Sequence, residues 1–200
     1  MPQADLDRIA AAIPGLVTAV SGGRLAAAAI QLRPDFREDI EAGWVQVEIG
    51  EREAGQTGLC GRGGVTITSQ GSDISNEISR TGFARLFPEP ECACGAELPS
   101  NVIIAHEIGH ALGLFHTDPF DESLMFSSPR IDCRTTELPA LDAYHAALAH
   151  TRPVGNRTPD ADPSHFSFLN VGGRRQATVS FACGLRQSVP CPLPLSSTGR

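Results

Sequence analysis

The 200-residue chain contains no lysine: all 16 of its basic residues are arginine, set against 23 acidic residues for a formal net charge of −7. These charges form neither a run of one sign nor a basic stripe, so no surface is shaped to follow a phosphate backbone or an anionic membrane, and neither nucleic acid nor membrane is expected as a partner. No apolar stretch approaches the ~18 residues of a membrane-spanning helix. The opening, MPQADLDRIAAAIPG, has two aspartates and an arginine where a signal peptide needs a positive start and an unbroken apolar run. Tryptophan and tyrosine occur once each, and methionine twice, as Met1 and Met125. A hydrophobic content of 41% with 20% charged residues excludes a mostly disordered chain.

CxxC spacing is also missing. The six cysteines, Cys60, Cys92, Cys94, Cys133, Cys183 and Cys191, form an even set that fits disulfides in an oxidising compartment better than a cytosolic metal cluster. A secreted protein is therefore expected, its export signal lying upstream of this sequence. Cys183 and Cys191 are close enough in sequence to pair, leaving Cys60, Cys92, Cys94 and Cys133 for the main domain; six cysteines allow about 15 pairings.

Periodicity sets out the elements. Leu6, Ile9 and Ile13 repeat at helical spacing, predicting a helix over 3–13 stopped by Pro14-Gly15. LAAAAIQLR (25–33) reads as extended. GWVQVEIGE alternates, with Val45, Val47 and Ile49 on one face, and GVTITS (64–69) alternates again, giving strands. A loop-rich stretch, 70–100, follows. NVIIAHEIGHALGL is apolar on nearly every side, the mark of a buried helix, with Ser100 or Asn101 as its N-cap. A last helix is predicted in TTELPALDAYHAALAH, with Leu138, Leu141, Tyr144 and Leu148 on its apolar face. Beyond residue 153 a Pro, Asp and Asn linker leads to two strands around Gly172-Gly173. The division expected is a main domain, 1–153, and a linker with a β-hairpin appendage, 154–200. NRT (156–158) is a glycosylation sequon where the host glycosylates.

Half of the six histidines fall in HEIGHALGLFHTD, 106–118. On a helix His106 and His110 lie one turn apart on one face and can share a metal ion. Glu107 points about 100° away from His106 and suits a water-activating base rather than a ligand. His116 on a continuing helix would sit about 15 Å along the axis from His106, out of reach. Gly113 can take the left-handed conformation that ends a helix and turns the chain back, which makes the third ligand geometrically feasible. Three imidazoles and an open position describe a catalytic zinc, since structural sites are closed by a fourth protein ligand.

HEIGHALGLFH resembles the HExxHxxGxxH signature of the metzincin zinc metalloproteases in every fixed position. The resemblance implies a Met-turn beneath the metal, and ESLMF supplies Met125. Ser127, two residues on, is not the tyrosine common in astacins and serralysins, and Thr117 is nearest the serine usual in matrixins, so the wording is matrixin-like. The fold implied is α+β, a zincin-like catalytic domain with a twisted mixed β-sheet, a buried zinc-binding helix and a C-terminal helix. The activity implied is that of a zinc endopeptidase acting on protein or peptide substrates, expected to be a monomer, with one catalytic zinc held by His106, His110 and His116 and with Glu107 as general base. An extended substrate is expected to run antiparallel to an exposed edge strand, with GVTITS or the stretch around GFARLF as candidates, and Leu112 with SSPRID (127–132) would shape the specificity pocket. The chain departs from the family in opening on a helix where the family fold has a strand, in lacking the matrixin insert with structural zinc and calcium ligands, and in showing no latency cysteine, which CAC at 92–94 does not resemble. Asp118, Asp121 and Glu122 offer oxygens for calcium but match no calcium motif, and His145, His150 and His165 read as ordinary histidines. The alternatives are a catalytically silent zinc-binding module and another zinc hydrolase, such as an aminopeptidase, on the same fold.

Overall fold

The computed structural model describes residues 3–27, 29–31, 40–52, 54–56, 58–70, 77–93, 99–116, 123–126, 139–151, 169–171 and 174–183. In chain order these form α1 (Gln3–Val20), β1 (Val45–Ile49), β2 (Gly61–Gln70), β3 (Glu77–Leu86), a short 3-10 turn (Pro90–Cys92), α2 (Asn101–Ala111), α3 (Ala140–Thr151), β4 (Leu169–Val171) and β5 (Arg174–Cys183). The architecture is α+β with one mixed sheet in the order β1-β3-β2-β5-β4. β1 runs parallel to β3, and every other neighbouring pair is antiparallel. No helix among the described residues is long and apolar enough to cross a membrane.

α1 runs seven residues past its predicted stop. Pro14 removes one helical N–H, but its own carbonyl accepts from Thr18 Oγ1 at 3.0 Å, and Leu16 and Val20 beyond it are buried against the core. Tertiary burial outweighs the local cost of a proline on the exposed side of the helix. The helix ends instead at Gly22 and Gly23, with φ of +60° and +78°, where Gly23 N–H donates to Thr18 O. A Cβ on Gly22 would meet Ala143 O at 2.6 Å, so this glycine also lets α3 lie against the end of α1.

The strand expected in LAAAAIQLR is not formed by its described residues, 25–27 and 29–31, which join no ladder. Leu25 and Ile30 are 38% and 42% exposed, and the alanines between them offer little area to bury on a sheet. The opposite correction applies to the loop expected over 70–100, because 77–86 is a ten-residue strand in the middle of the sheet. Among its described side-chain positions Gly82, Ala84 and Leu86 face inward, and two small residues hide the alternation that marks a strand. Both candidates for an exposed edge are therefore interior: β3, which holds GFARLF up to Leu86, lies between β1 and β2, and β2, which holds GVTITS, lies between β3 and β5.

The core sits between sheet and helices. α2 lies across β2 and β3 on one side and against α1 on the other, so every residue from Val102 to Ala111 is buried. Ile9, Leu16 and Val20 of α1 join Ile103, Ile104 and Ile108 of α2 in one cluster, with Val47 and Ile49 of β1 at its margin. Full burial of side chains of this size stabilises by about 1.5–3 kcal/mol each. Arg8 ties the two helices together, donating to Pro99 O at 2.9 Å and to Asn101 Oδ1 at 3.3 Å. Cys60 and Cys92 form a disulfide across a sequence separation of 32 that encloses β2 and β3, which restrains the unfolded chain by about 3–4 kcal/mol in a loop-entropy account. Cys94, Cys133 and Cys191 lie outside the described residues.

The last helix keeps its place, but Tyr144 is 62% exposed rather than on the inner face. Among the described side chains Asp142 and Ala146, one turn apart, are turned inward, while Leu138 and the side chains of Leu141 and Leu148 lie outside the described residues. The predicted strands around Gly172-Gly173 pair as β4 and β5, and β5 continues the main sheet along the whole of β2. Of the expected linker, TRPVGNRTPDADPS (151–164), Thr151 closes α3 and the rest lies outside the described residues.

Candidate metal centre

α2 starts where Ser100, fully buried, accepts the Ile103 N–H on its side-chain oxygen at 3.3 Å. Its far end closes by two hydrogen bonds: Gly113 N–H donates to His110 O at 3.0 Å and Leu114 N–H to Gly109 O at 2.9 Å, with Gly113 at φ +95°. This is the Schellman arrangement, in which a positive-φ residue past the cap reverses the chain. The reversal carries His116 back to His106 and His110.

The three histidines converge. His110 Nε2 lies 3.0 Å from His106 Nε2 and 3.0 Å from His116 Nε2, and the three residues together form a group able to hold a metal ion. Carbonyl oxygens fix two of the tautomers. His106 Nδ1 donates to Leu124 O and His110 Nδ1 to Leu114 O, each at 2.7 Å. Carbonyls only accept, so in both rings the proton sits on Nδ1 and Nε2 carries a lone pair. Two lone pairs facing each other at 3.0 Å cannot hydrogen-bond, whereas a cation between them satisfies both. The N···N separation is close to the ~3.3 Å spanned by two imidazoles about 2.0–2.1 Å from a tetrahedral zinc. Burial pushes the His106 imidazole down to about 4 and that of His116 to about 3, and it holds His110 well below the ordinary range, with the neighbouring imidazoles adding to the effect. All three are neutral at pH 7, the form that ligates. Among the described residues no fourth side chain joins the group.

Glu107 is buried on the side of α2 that faces β2, where a Cβ at Gly61 would strike its carboxylate and one at Gly63 would lie 2.5 Å from its carbonyl oxygen. Glycines at 61 and 63 are what allow the helix to sit this close to the sheet. Gly82 does the same beneath Ala111. Glu107 Oε2 has no hydrogen-bond partner, and burial raises the carboxyl well above its usual range against the opposing pull of Arg62. A buried acceptor left without a protein partner is costly.

Met125 is buried in a tight turn in which Phe126 N–H donates to Ser123 O at 3.2 Å. Its sulfur lies against α2, 2.6 Å from where a Cβ on Gly109 would be. This turn also supplies the carbonyl of Leu124 that orients His106, and it is held in turn by Asp142 of α3. Asp142 accepts from Ser123 Oγ at 2.8 Å on one carboxylate oxygen and from Leu124 N–H at 2.6 Å on the other, while Ser123 Oγ accepts from Met125 N–H at 3.0 Å.

Of the residues singled out by the sequence, His106, His110 and His116 come together in one group, Gly113 makes the reversal that returns His116, Met125 packs on Gly109 of α2, and Glu107 lies against Gly61 and Gly63 of β2. Sequence reasoning misses Asp142, Ser123 and the glycines of β2 and β3. An acid one turn before Ala146 on a helix's inner face is the available sign of Asp142. His145 is exposed and lies apart from the group, as does His150 on the last turn of α3. His165, Thr117, Asp118, Asp121, Glu122 and 127–132 lie outside the described residues, and Leu112 packs at the margin of the core. Comparison with family models, with curated proteins and with solved structures finds no match for this chain.

Proposed function

We propose that the chain is a zinc-dependent endopeptidase of the metzincin type, matrixin-like, with His106, His110 and His116 as metal ligands and Glu107 as general base. The observation that carries this reading is the pair of lone-pair-bearing Nε2 atoms, on His106 and His110, turned towards each other with a third imidazole at hand, on the helix that also carries the buried carboxylate oxygen of Glu107 without a protein partner. Three neutral imidazoles suit several divalent metals, and zinc is the one whose catalytic sites use three protein ligands with a position left open. A zinc ion held there supplies Lewis-acid polarisation of a peptide carbonyl and makes water acidic enough to attack near neutral pH. Glu107 accepts the proton of the attacking water on Oε2 and delivers it to the leaving amine. Leu124 O and Leu114 O hold the His106 and His110 rings in the ligating tautomer throughout. The Cys60–Cys92 disulfide supports an extracellular setting.

Glu107→Gln tests the assignment because it keeps the shape and removes the base. Expected is about one zinc per chain, as in the unmodified protein, with chelator-sensitive internal cleavage of a denatured protein reduced by a factor of about 10² or more. Unchanged cleavage by the variant would remove Glu107 from its role. Cleavage confined to free amino ends, with blocked peptides untouched, would replace the endopeptidase by an aminopeptidase.

A further inference from the structure

β2 has two edges. One pairs with β3, and the other is covered by β5 over all ten residues, from Gly61 opposite Cys183 to Gln70 opposite Arg174. The helices do not require this cover: α2 packs on β2 and β3, whereas β5 is held principally by its ladders with β2 and β4. At one end the ladder reaches the site, since Phe181 and Cys183 stand opposite Gly63 and Gly61, the two glycines against which Glu107 is packed. β5 runs antiparallel to β2 and takes up the backbone hydrogen-bonding edge to which an extended peptide could add as a strand. A strand edge has a single row of N–H and C=O groups, so β5 and a substrate strand exclude one another.

We propose that the β4–β5 hairpin is a built-in competitive inhibitor that occupies the substrate-strand position on β2; the proposal rests on the endopeptidase reading. Because the hairpin is tethered, its effective concentration at this edge is on the order of millimolar, and a free peptide competes poorly against it. Displacing β5 opens the edge beside Glu107, and a substrate backbone then takes over the same hydrogen bonds.

The test uses the full zinc-loaded chain. Thr178→Pro with Val179→Pro places prolines at two successive positions of β5; one of the two must remove a ladder N–H, whichever parity faces β2. Expected is a fall of at least tenfold in KM for a denatured protein substrate with kcat within about twofold, and unchanged KM overturns the proposal. In a Glu107→Gln background, a labelled peptide with the sequence of residues 174–183 should bind the double-proline chain at least tenfold more tightly than the unmodified one by anisotropy, and equal binding overturns the proposal. Capture of the peptide by a double-proline chain that cleaves nothing would uphold the covered edge and sink the endopeptidase reading instead. Thr66→Cys with Thr178→Cys, at directly opposed positions, gives a complementary variant that keeps β5 in place. Once cross-linked, it should retain one zinc yet neither capture peptide nor cleave protein, and capture equal to that of the double-proline chain would overturn the proposal.

Discussion

The histidine segment, residues 100–116, and the parts that support it are built in opposite ways. The segment folds by short-range bonds: the Ser100 cap, the helical turn between His106 and His110, the Gly113 reversal and the bond from His110 Nδ1 to Leu114 O all join residues six or fewer apart. Its supports come from a distance, with the β2 glycines packed under Glu107, Leu124 O beside His106, and Asp142 behind the Met125 turn. Local chemistry places the donors, and long-range packing decides how firmly they are held.

Acid should break the histidine segment first and by the largest margin. The folded chain holds His106 near 4 and His116 near 3, below the ordinary histidine value of 6.5, so the unfolded chain binds more protons between those limits. Stability from these rings is complete above about pH 6.5 and is lost as pH falls towards 4 and then 3. The loss amounts to several kcal/mol, because each tenfold difference in proton affinity between folded and unfolded chain is worth about 1.4 kcal/mol. Urea midpoints in the presence of a chelator should drop steeply from about pH 7 to about pH 4.5. His106→Ala should flatten part of that drop, and a variant as steep as the parent would contradict the assignment.

Breaking the support instead calls for Gly63→Ala. Its Cβ would lie 2.5 Å from Glu107 O and 2.7 Å from His110 Cβ, neither of which can swing aside as a flexible chain end would. α2 must lift from the sheet, at a cost of about 3 kcal/mol, towards the upper end for overpacking. Denaturant unfolding and zinc affinity should fall together. A loss of stability with full zinc affinity would mean that the floor does not position the donors.

The contrast also explains how much of the molecule is legible in its residues alone. HExxH, Gly113 and His116 are legible because one helical turn and one glycine reversal fix their geometry over a few residues. β3 is not, because Gly82 and Ala84 are chosen for the approach of α2 rather than for strand propensity. Spacing alone puts Tyr144 inward, yet it is exposed, while Asp142 is turned inward towards partners 18 and 19 residues away. Pro14 shows the same override, since the burial of Leu16 and Val20 carries α1 past a residue that stops an isolated helix.

Asp142→Ala sharpens the comparison further, since Asp142 touches none of the three histidines yet holds the turn that orients one. Its removal strands the Leu124 N–H and the Ser123 hydroxyl, both buried, for about 2–3 kcal/mol. Through the slackened bond from His106 Nδ1 to Leu124 O, zinc affinity should fall by about 10–100-fold, measured by competition with a chromophoric chelator. Asp142→Asn, which keeps an acceptor for Leu124 N–H, should recover most of it.

Gly113→Ala should have the smallest effect on stability and the most selective one on the metal. At φ +95° an alanine is strained, costing about 1 kcal/mol or slightly more, and the chain can relieve that strain only by altering the reversal that returns His116. His106 and His110 lie within the hydrogen-bonded helix and keep their places, so the site loses one donor of three. Zinc binding should therefore weaken by more than the change in unfolding free energy accounts for. If the two changes matched, His116 would be held by its own packing rather than by the turn, and the histidine segment would be less self-contained than its local bonds imply.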